Sequence, residues 1–138
     1  VSTGNSILII GDSPQTRQAL EACFRGLGYD VLVAADGVSG FEIARRERPN
    51  VVLTDMLLTG MSGFRIVDRL KSDPAYQPIV IMMSAIDAPL QRAYAEALGV
   101  DEYIVKPFSL GDIVACVRRL LHDGSDADLP VAVGRISV

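Results

Sequence analysis

Val51-Val52-Leu53-Thr54-Asp55, followed by Met56-Leu57-Leu58-Thr59-Gly60-Met61-Ser62-Gly63, decides the fold of this chain. Four apolar or β-branched residues in a row read as a strand covered on both faces, as in a parallel sheet flanked by helices. The run ends in a carboxylate, and a turn-like stretch separates it from the next apolar-periodic segment. A charge at the end of a buried strand costs several kcal/mol unless something compensates it. In open α/β sheets the carboxyl ends of the strands are also where ligands bind.

Strand and helix patterns alternate on both sides of this stretch. Ile7-Leu8-Ile9-Ile10 and Val31-Leu32-Val33-Ala34 precede it; Pro78-Ile79-Val80-Ile81-Met82-Met83 and Tyr103-Ile104-Val105 follow. Pro78 lies at a strand mouth, where a missing N–H is tolerated. The spacing predicts helices from Pro14 to about Leu27, Val38 to about Glu47, Gly63 to about Ser72, Pro89 to about Leu98 and Leu110 to about Leu121. Pro14 suits a first turn, and Gly28 and Gly99 suit the close of a helix. Five βα units in succession argue for an α/β fold with a doubly wound, five-stranded parallel sheet. After His122, Asp123-Gly124-Ser125-Asp126-Ala127-Asp128 has linker composition. One domain over residues 5–122 is expected, with a linker or tail over residues 123–138.

The 138 residues are 49% hydrophobic and 22% charged, which suits one globular domain with a real core. A net charge of −4 argues against direct nucleic-acid binding by this domain, because phosphate backbones are met by basic faces. No apolar run approaches the ~20 residues that span a bilayer, so no membrane role is expected. No signal peptide is visible at the start, and a cytoplasmic location is expected. Cys23 and Cys116 lie in apolar helical patterns and read as buried free thiols rather than a disulfide staple. His122 is the only histidine, and no CxxC or HExxH spacing occurs, which argues against zinc.

Three further polar residues end other apolar strands: Asp12, Ser84 and Lys106. Two acids, a hydroxyl and an amine converging on one crevice outline a site for a phosphoryl group and a metal ion. Each has a plainer reading. Asp12 could cap the helix after it, Ser84 could bond nearby backbone, Lys106 could be a solvated lysine, and Tyr103 could be packing. Gly60-Met61-Ser62-Gly63 lacks the G-x-S-x-G spacing of a serine nucleophile. Gly11 alone gives no Gly-rich phosphate cradle.

Together these pieces resemble the receiver domain of bacterial two-component response regulators. The resemblance rests on Ile7 through Pro14, on Asp55 with Leu58 through Gly63, on Met83-Ser84-Ala85, on Leu98 through Tyr103 and on Lys106-Pro107-Phe108. It implies a flavodoxin-like sheet of order 2-1-3-4-5. It implies that Asp55 accepts a phosphoryl group from a phosphohistidine on a histidine kinase or phosphotransfer protein. Mg²⁺ would be held by Asp12, Asp55 and the backbone carbonyl of Leu57. Lys106 would pair with the carboxylate or phosphoryl group, Ser84 would bond a phosphoryl oxygen, and the Lys106-Pro107 bond would be cis. Ser84 and Tyr103 would form the switch, Tyr103 turning inward as Ser84 moves. The fourth helix, fifth strand and fifth helix would then repack to signal. Such a domain is a regulatory phosphoacceptor, not an enzyme, and catalyses only its own phosphorylation and slow dephosphorylation. Gln91, Arg92, Glu96, Asp101, Glu102, Arg118 and Arg119 on the signalling face are either intersubunit partners in a homodimer or solvated charge.

The chain departs from the family pattern at several positions. Gly11 stands where a second acid usually precedes Asp12, so weaker Mg²⁺ binding is expected. The alternative reading is a pseudo-receiver, a protein-interaction module that works without phosphorylation. Thr59 replaces a Pro and its fixed φ. Cys116 stands where winged-helix regulators usually carry Arg. Leu57 and Ile86, two residues beyond Asp55 and Ser84, cannot orient a water, so slow self-dephosphorylation is expected.

Overall fold

The computed structural model describes residues 3–122. Within them run β1 (Ser6–Ile10), α1 (Pro14–Gly26), β2 (Asp30–Ala34), α2 (Gly37–Glu47), β3 (Val51–Asp55), α3 (Gly63–Lys71), β4 (Ile79–Ser84), α4 (Pro89–Leu98), β5 (Glu102–Val105) and α5 (Leu110–Leu121). Every expected element forms, with its ends within a residue of the sequence pattern. The stretch read as linker or tail, residues 123–138, lies outside the described residues.

The five strands pair in parallel in the order β2-β1-β3-β4-β5. Side chains alternate across the sheet, which splits the core in two. Ile7, Ile9, Val51 and Leu53 pack with Leu20 and Phe24 of α1 and Val114 and Val117 of α5. Leu8, Ile10, Val52 and Met82 pack with Phe41 of α2, Ile66 and Val67 of α3 and Ala95 of α4. Both faces are therefore covered, which is why the central strands are apolar at every position rather than at every second one.

The helices start where short polar side chains accept their free N–H groups. Ser13, Asp36, Ser62 and Ser109 cap α1, α2, α3 and α5. The polar Ser62 of the Gly60–Gly63 turn is thereby accounted for. α2 ends at Arg48 in the left-handed region, φ 49°, where glycine is the usual residue. Its guanidinium lies 5.3 Å from the Tyr76 ring centre and 3.5 Å from Asp73, tying α2 to the loop before β4.

Because β1 lies between β2 and β3, the chain reverses direction across the sheet at this point. The carboxyl ends of β1 and β3 consequently flank an open crevice, the usual ligand position of such sheets.

Candidate functional site

Asp12, Asp55, Ser84 and Lys106 line one cavity of about 180 Å³, together with Met56, Leu57, Met83, Ala85 and Ile86. Register explains the convergence. Ile10 pairs with Thr54, Asp55 with Met83, and Ser84 with Val105, so four strands end at the same level. The backbone continues the alignment, with the Lys106 N–H donating to the Ser84 carbonyl at 2.8 Å. Lys106-Pro107 is cis, as the resemblance implied.

Asp55 is only 5% exposed. Lys106 Nζ stands 2.7 Å from Asp55 Oδ1, yet off the direction a hydrogen bond needs, for Oδ1 is buried with no hydrogen-bond partner. The acid is ion-paired but still has an accepting oxygen to offer. Asp12 is exposed and makes no capping bond, because Ser13 caps α1 instead. Arg17 fixes the loop that carries it, donating from a terminal guanidinium nitrogen to the Gly11 carbonyl at 2.6 Å. At Gly11, a Cβ would stand 3.0 Å from Asp55 Oδ2.

The donor set fits a hard cation. Two carboxylates, one with an unsatisfied buried oxygen, and a backbone carbonyl suit Mg²⁺, which keeps several waters and takes only one or two carboxylates. Among the described residues no group of three or more acidic, His or Cys side chains gathers anywhere. Gly11 is the reason the pair at this site is not a trio.

Ser84 makes the local backbone bond of its plainer reading. It lines the cavity, and its Oγ also accepts from the Ile86 N–H at 2.9 Å. Tyr103 is buried at 3% exposure and donates from its hydroxyl to the Ile86 carbonyl at 2.7 Å. Arg92 lies over the Tyr103 ring at 5.0 Å and donates to its carbonyl at 3.1 Å.

Two glycines, read from the sequence only as turn and helix-start residues, shape the site without carrying chemistry. A Cβ at Gly63 would overlap the Asp55 carbonyl, and one at Gly37 would overlap the Met61 carbonyl. The first lets α3 start directly against the end of β3. The second lets α2 meet the loop after Asp55, where the Thr59 carbonyl accepts from Gly37 N–H at 3.0 Å and Met61 N–H at 3.1 Å. Those bonds hold the loop although Thr59 lacks a proline's fixed φ. A glycine at the very start of a helix pattern was the available signal.

The model of the response regulator receiver domain matches residues 7–118. The chain belongs to this family. A probable transcriptional regulatory protein, TcrX, of Mycobacterium tuberculosis is 34% identical over 117 residues, which cover 85% of this chain and 50% of that protein. The transcriptional activator protein PfeR of Pseudomonas aeruginosa is 36% identical over 129 residues, covering 94% of this chain and 42% of PfeR. This receiver chain spans about half the length of the curated relatives it matches. Among solved structures, chemotaxis response regulator CheY4 of Vibrio cholerae superposes with a TM-score of 0.80 at 26% identity, covering 86% of this chain and 99% of that one. The receiver domain of sensor histidine kinase PA1611 of Pseudomonas aeruginosa PAO1, with magnesium coordinated in its active-site cleft, gives 0.78 at 26% identity over 87% and 99%.

On the expected signalling face, several charges are committed within the chain. Arg119 pairs with Glu102 at 2.9 Å, and Asp101 accepts from Lys71 at 3.2 Å and from the Val80 N–H at 2.8 Å. Cys116, 7% exposed, lies beside the first of these pairs. Burial, with the nearby Glu102 carboxylate, pushes its thiol up to about 11. Cys23 is half-buried rather than buried; both cysteines are free. No helix of the described residues is long and apolar enough to cross a membrane.

Proposed function

We propose that this receiver domain is phosphorylated on Asp55 by a phosphohistidine of a histidine kinase or phosphotransfer protein in the cytoplasm. The observation that carries the reading is a buried acid, ion-paired to Lys106 at 2.7 Å and sharing a cavity with Asp12 and Ser84. An Asp55 oxygen bonds to phosphorus as the phosphorus–nitrogen bond breaks, and the imidazole nitrogen keeps the electron pair. The transition state spreads charge over the equatorial oxygens, so positioning and neutralisation do most of the work. Lys106 holds the carboxylate in place and remains as a point charge beside the phosphoryl oxygens. Ser84 supplies a hydroxyl donor once it turns into the cavity. Mg²⁺, held by Asp12, Asp55 and the Leu57 carbonyl, would supply further neutralisation.

Phosphorylation turns the singly charged Asp55 carboxylate into an acyl phosphate of about −1.5 to −2 in all, and the shift it favours runs through Ser84 and Tyr103 to the face of α4, β5 and α5. A homodimer through that face would have to exchange the Arg119–Glu102 pair for intersubunit ones. Residues 123–138 serve as a linker or a C-terminal tail to the receiver domain.

Incubation with acetyl phosphate and Mg²⁺, read by intact mass, tests the reading. One added phosphoryl group, absent from Asp55→Asn, is expected. No adduct, and no response to beryllofluoride, would leave the phosphorylation-independent interaction module in its place. Gly11 is the observation that favours that second reading.

A further inference from the structure

The residue after the phosphoacceptor has an arrangement that the reading above does not use. Met56 is 3% exposed, and its sulfur faces two hydroxyls at once. Ser84 Oγ lies 3.7 Å from Met56 Sδ, and Tyr103 Oη lies 3.9 Å from the same atom. The Ser84 oxygen already accepts from the Ile86 N–H. Its hydroxyl is within donating reach of the sulfur. The Tyr103 proton goes to the Ile86 carbonyl, with the sulfur at the edge of that bond. Ser84, Ile86, Tyr103 and Met56 thus form one closed set of contacts beside Asp55.

We infer that Met56 is a positioning residue that holds Ser84 in its resting orientation and sets how readily that hydroxyl turns to a phosphoryl oxygen. The inference rests on Asp55 being the phosphoacceptor. The chemistry of sulfur makes the hold a soft one. A thioether is a weak acceptor, so the Ser84 proton gives up little when it turns to an anionic oxygen, which makes a stronger, charge-assisted bond. A carbon side chain of the same volume accepts nothing. The buried Ser84 proton would then be unsatisfied at rest, and the resting orientation would be disfavoured relative to the bound one.

Met56→Leu keeps volume and hydrophobicity and removes the acceptor. Beryllofluoride with saturating Mg²⁺ is the probe, titrated by NMR. Met56→Leu should bind it roughly two- to tenfold more tightly than the natural protein, the range that a net hydrogen bond spans. In the ligand-free protein the Ile86 amide resonance should move on Met56→Leu, since Ser84 is freed. In the natural protein the Met56 ε-methyl resonance should move at saturation, and not in Ser84→Ala. The methyl measurement needs no substitution at Met56 and stands if Met56→Leu folds poorly. Equal or weaker binding by a folded Met56→Leu protein, or an unmoved Met56 methyl, overturns the inference. If the natural protein ignores beryllofluoride altogether, the phosphoacceptor reading has failed and takes this inference with it. If it responds and Met56→Leu responds identically, only the role of Met56 has failed.

Discussion

Replacing Gly11 by Asp should weaken the metal-free protein and strengthen its hold on Mg²⁺. Gly11 follows β1, and a Cβ there would stand 3.0 Å from Asp55 Oδ2 and 3.7 Å from its Cγ. The Asp55 carboxylate must give by a few tenths of an ångström. The new carboxylate then sits about 5 Å from the old one, and two like charges at that distance repel by about 3 kcal/mol at an effective dielectric near 20. Solvent reaches the cavity mouth, since Asp12 is exposed, so about 2 kcal/mol is the figure to expect. That lowers Tm by roughly 6–12 °C for a domain of this size. A divalent ion reverses the sign, because the added charge now attracts. Mg²⁺ affinity should rise at least about tenfold, and Mg²⁺ at a hundred times its Kd restores about 2.7 kcal/mol. Thermal unfolding by circular dichroism in EDTA and in rising MgCl₂ reads both effects. The chain has no tryptophan, so NMR serves for the metal titration. If Gly11→Asp melts like the natural protein in EDTA and its Mg²⁺ affinity is unchanged, the site is not one acid short, and the electrostatic reasoning fails.

Removing Lys106 leaves Asp55 as an uncompensated buried charge, so Lys106→Met should cost about 3 kcal/mol in urea unfolding, and Asp55→Asn in the same chain should restore much of it. A cost under about 1 kcal/mol for the single change would mean that the pair is not buried in solution. Cys116 has its folded-state thiol raised from 9.0 to about 11. It therefore adds stability that is complete below pH 9 and is lost as pH rises from 9 to 11. Relative to Cys116→Ala, the natural protein should lose on the order of 2 kcal/mol over that window; parallel curves would contradict the burial. Gly63→Ala should destabilise by about 3 kcal/mol or more and slow phosphorylation with acetyl phosphate, since the Cβ pushes on the Asp55 backbone; a variant equal to the natural protein on both counts would sink that account. Leu57 and Ile86 are exposed and apolar beside Asp55, so a protein phosphorylated there should decay over on the order of hours. Leu57→Asn should speed that decay, and a half-life of seconds in the natural protein would show that another group directs the water.

The parts of this molecule that depend on local pattern were legible, and the parts that depend on who faces whom were not. Ile7 to Ile10 and Val51 to Leu53 announce buried strands because each residue is apolar, and each is indeed fully buried. Asp12, Asp55, Ser84 and Lys106 are all at strand ends, so one sheet order brings them together. The same string does not say that Ser13 rather than Asp12 would cap α1, since both are good caps one residue apart. It also hides Gly63 and Gly37, whose meaning is a backbone approach from another segment. Met56 belongs to the core. Its contact with two hydroxyls appears only when β4 and β5 are placed beside β3.

Charge counting then indicates what the loss of an acid at Gly11 achieves beyond weakening the metal. Asp12 and Asp55 carry two negative charges against one on Lys106, so the empty cavity is negative by one. A divalent cation makes it positive by one, and turning the Asp55 carboxylate into an acyl phosphate of about −2 in all brings it to about zero. With an acid at residue 11 the same three states would stand at about −2, zero and −1. The cation-loaded pocket is therefore more attractive to an anion in this chain than it would be with the trio complete. Given saturating Mg²⁺, the natural protein should bind beryllofluoride more tightly than Gly11→Asp does, although it binds Mg²⁺ itself more weakly. The two titrations moving in opposite directions is a signature that simple damage to the site would not produce, because damage would weaken both.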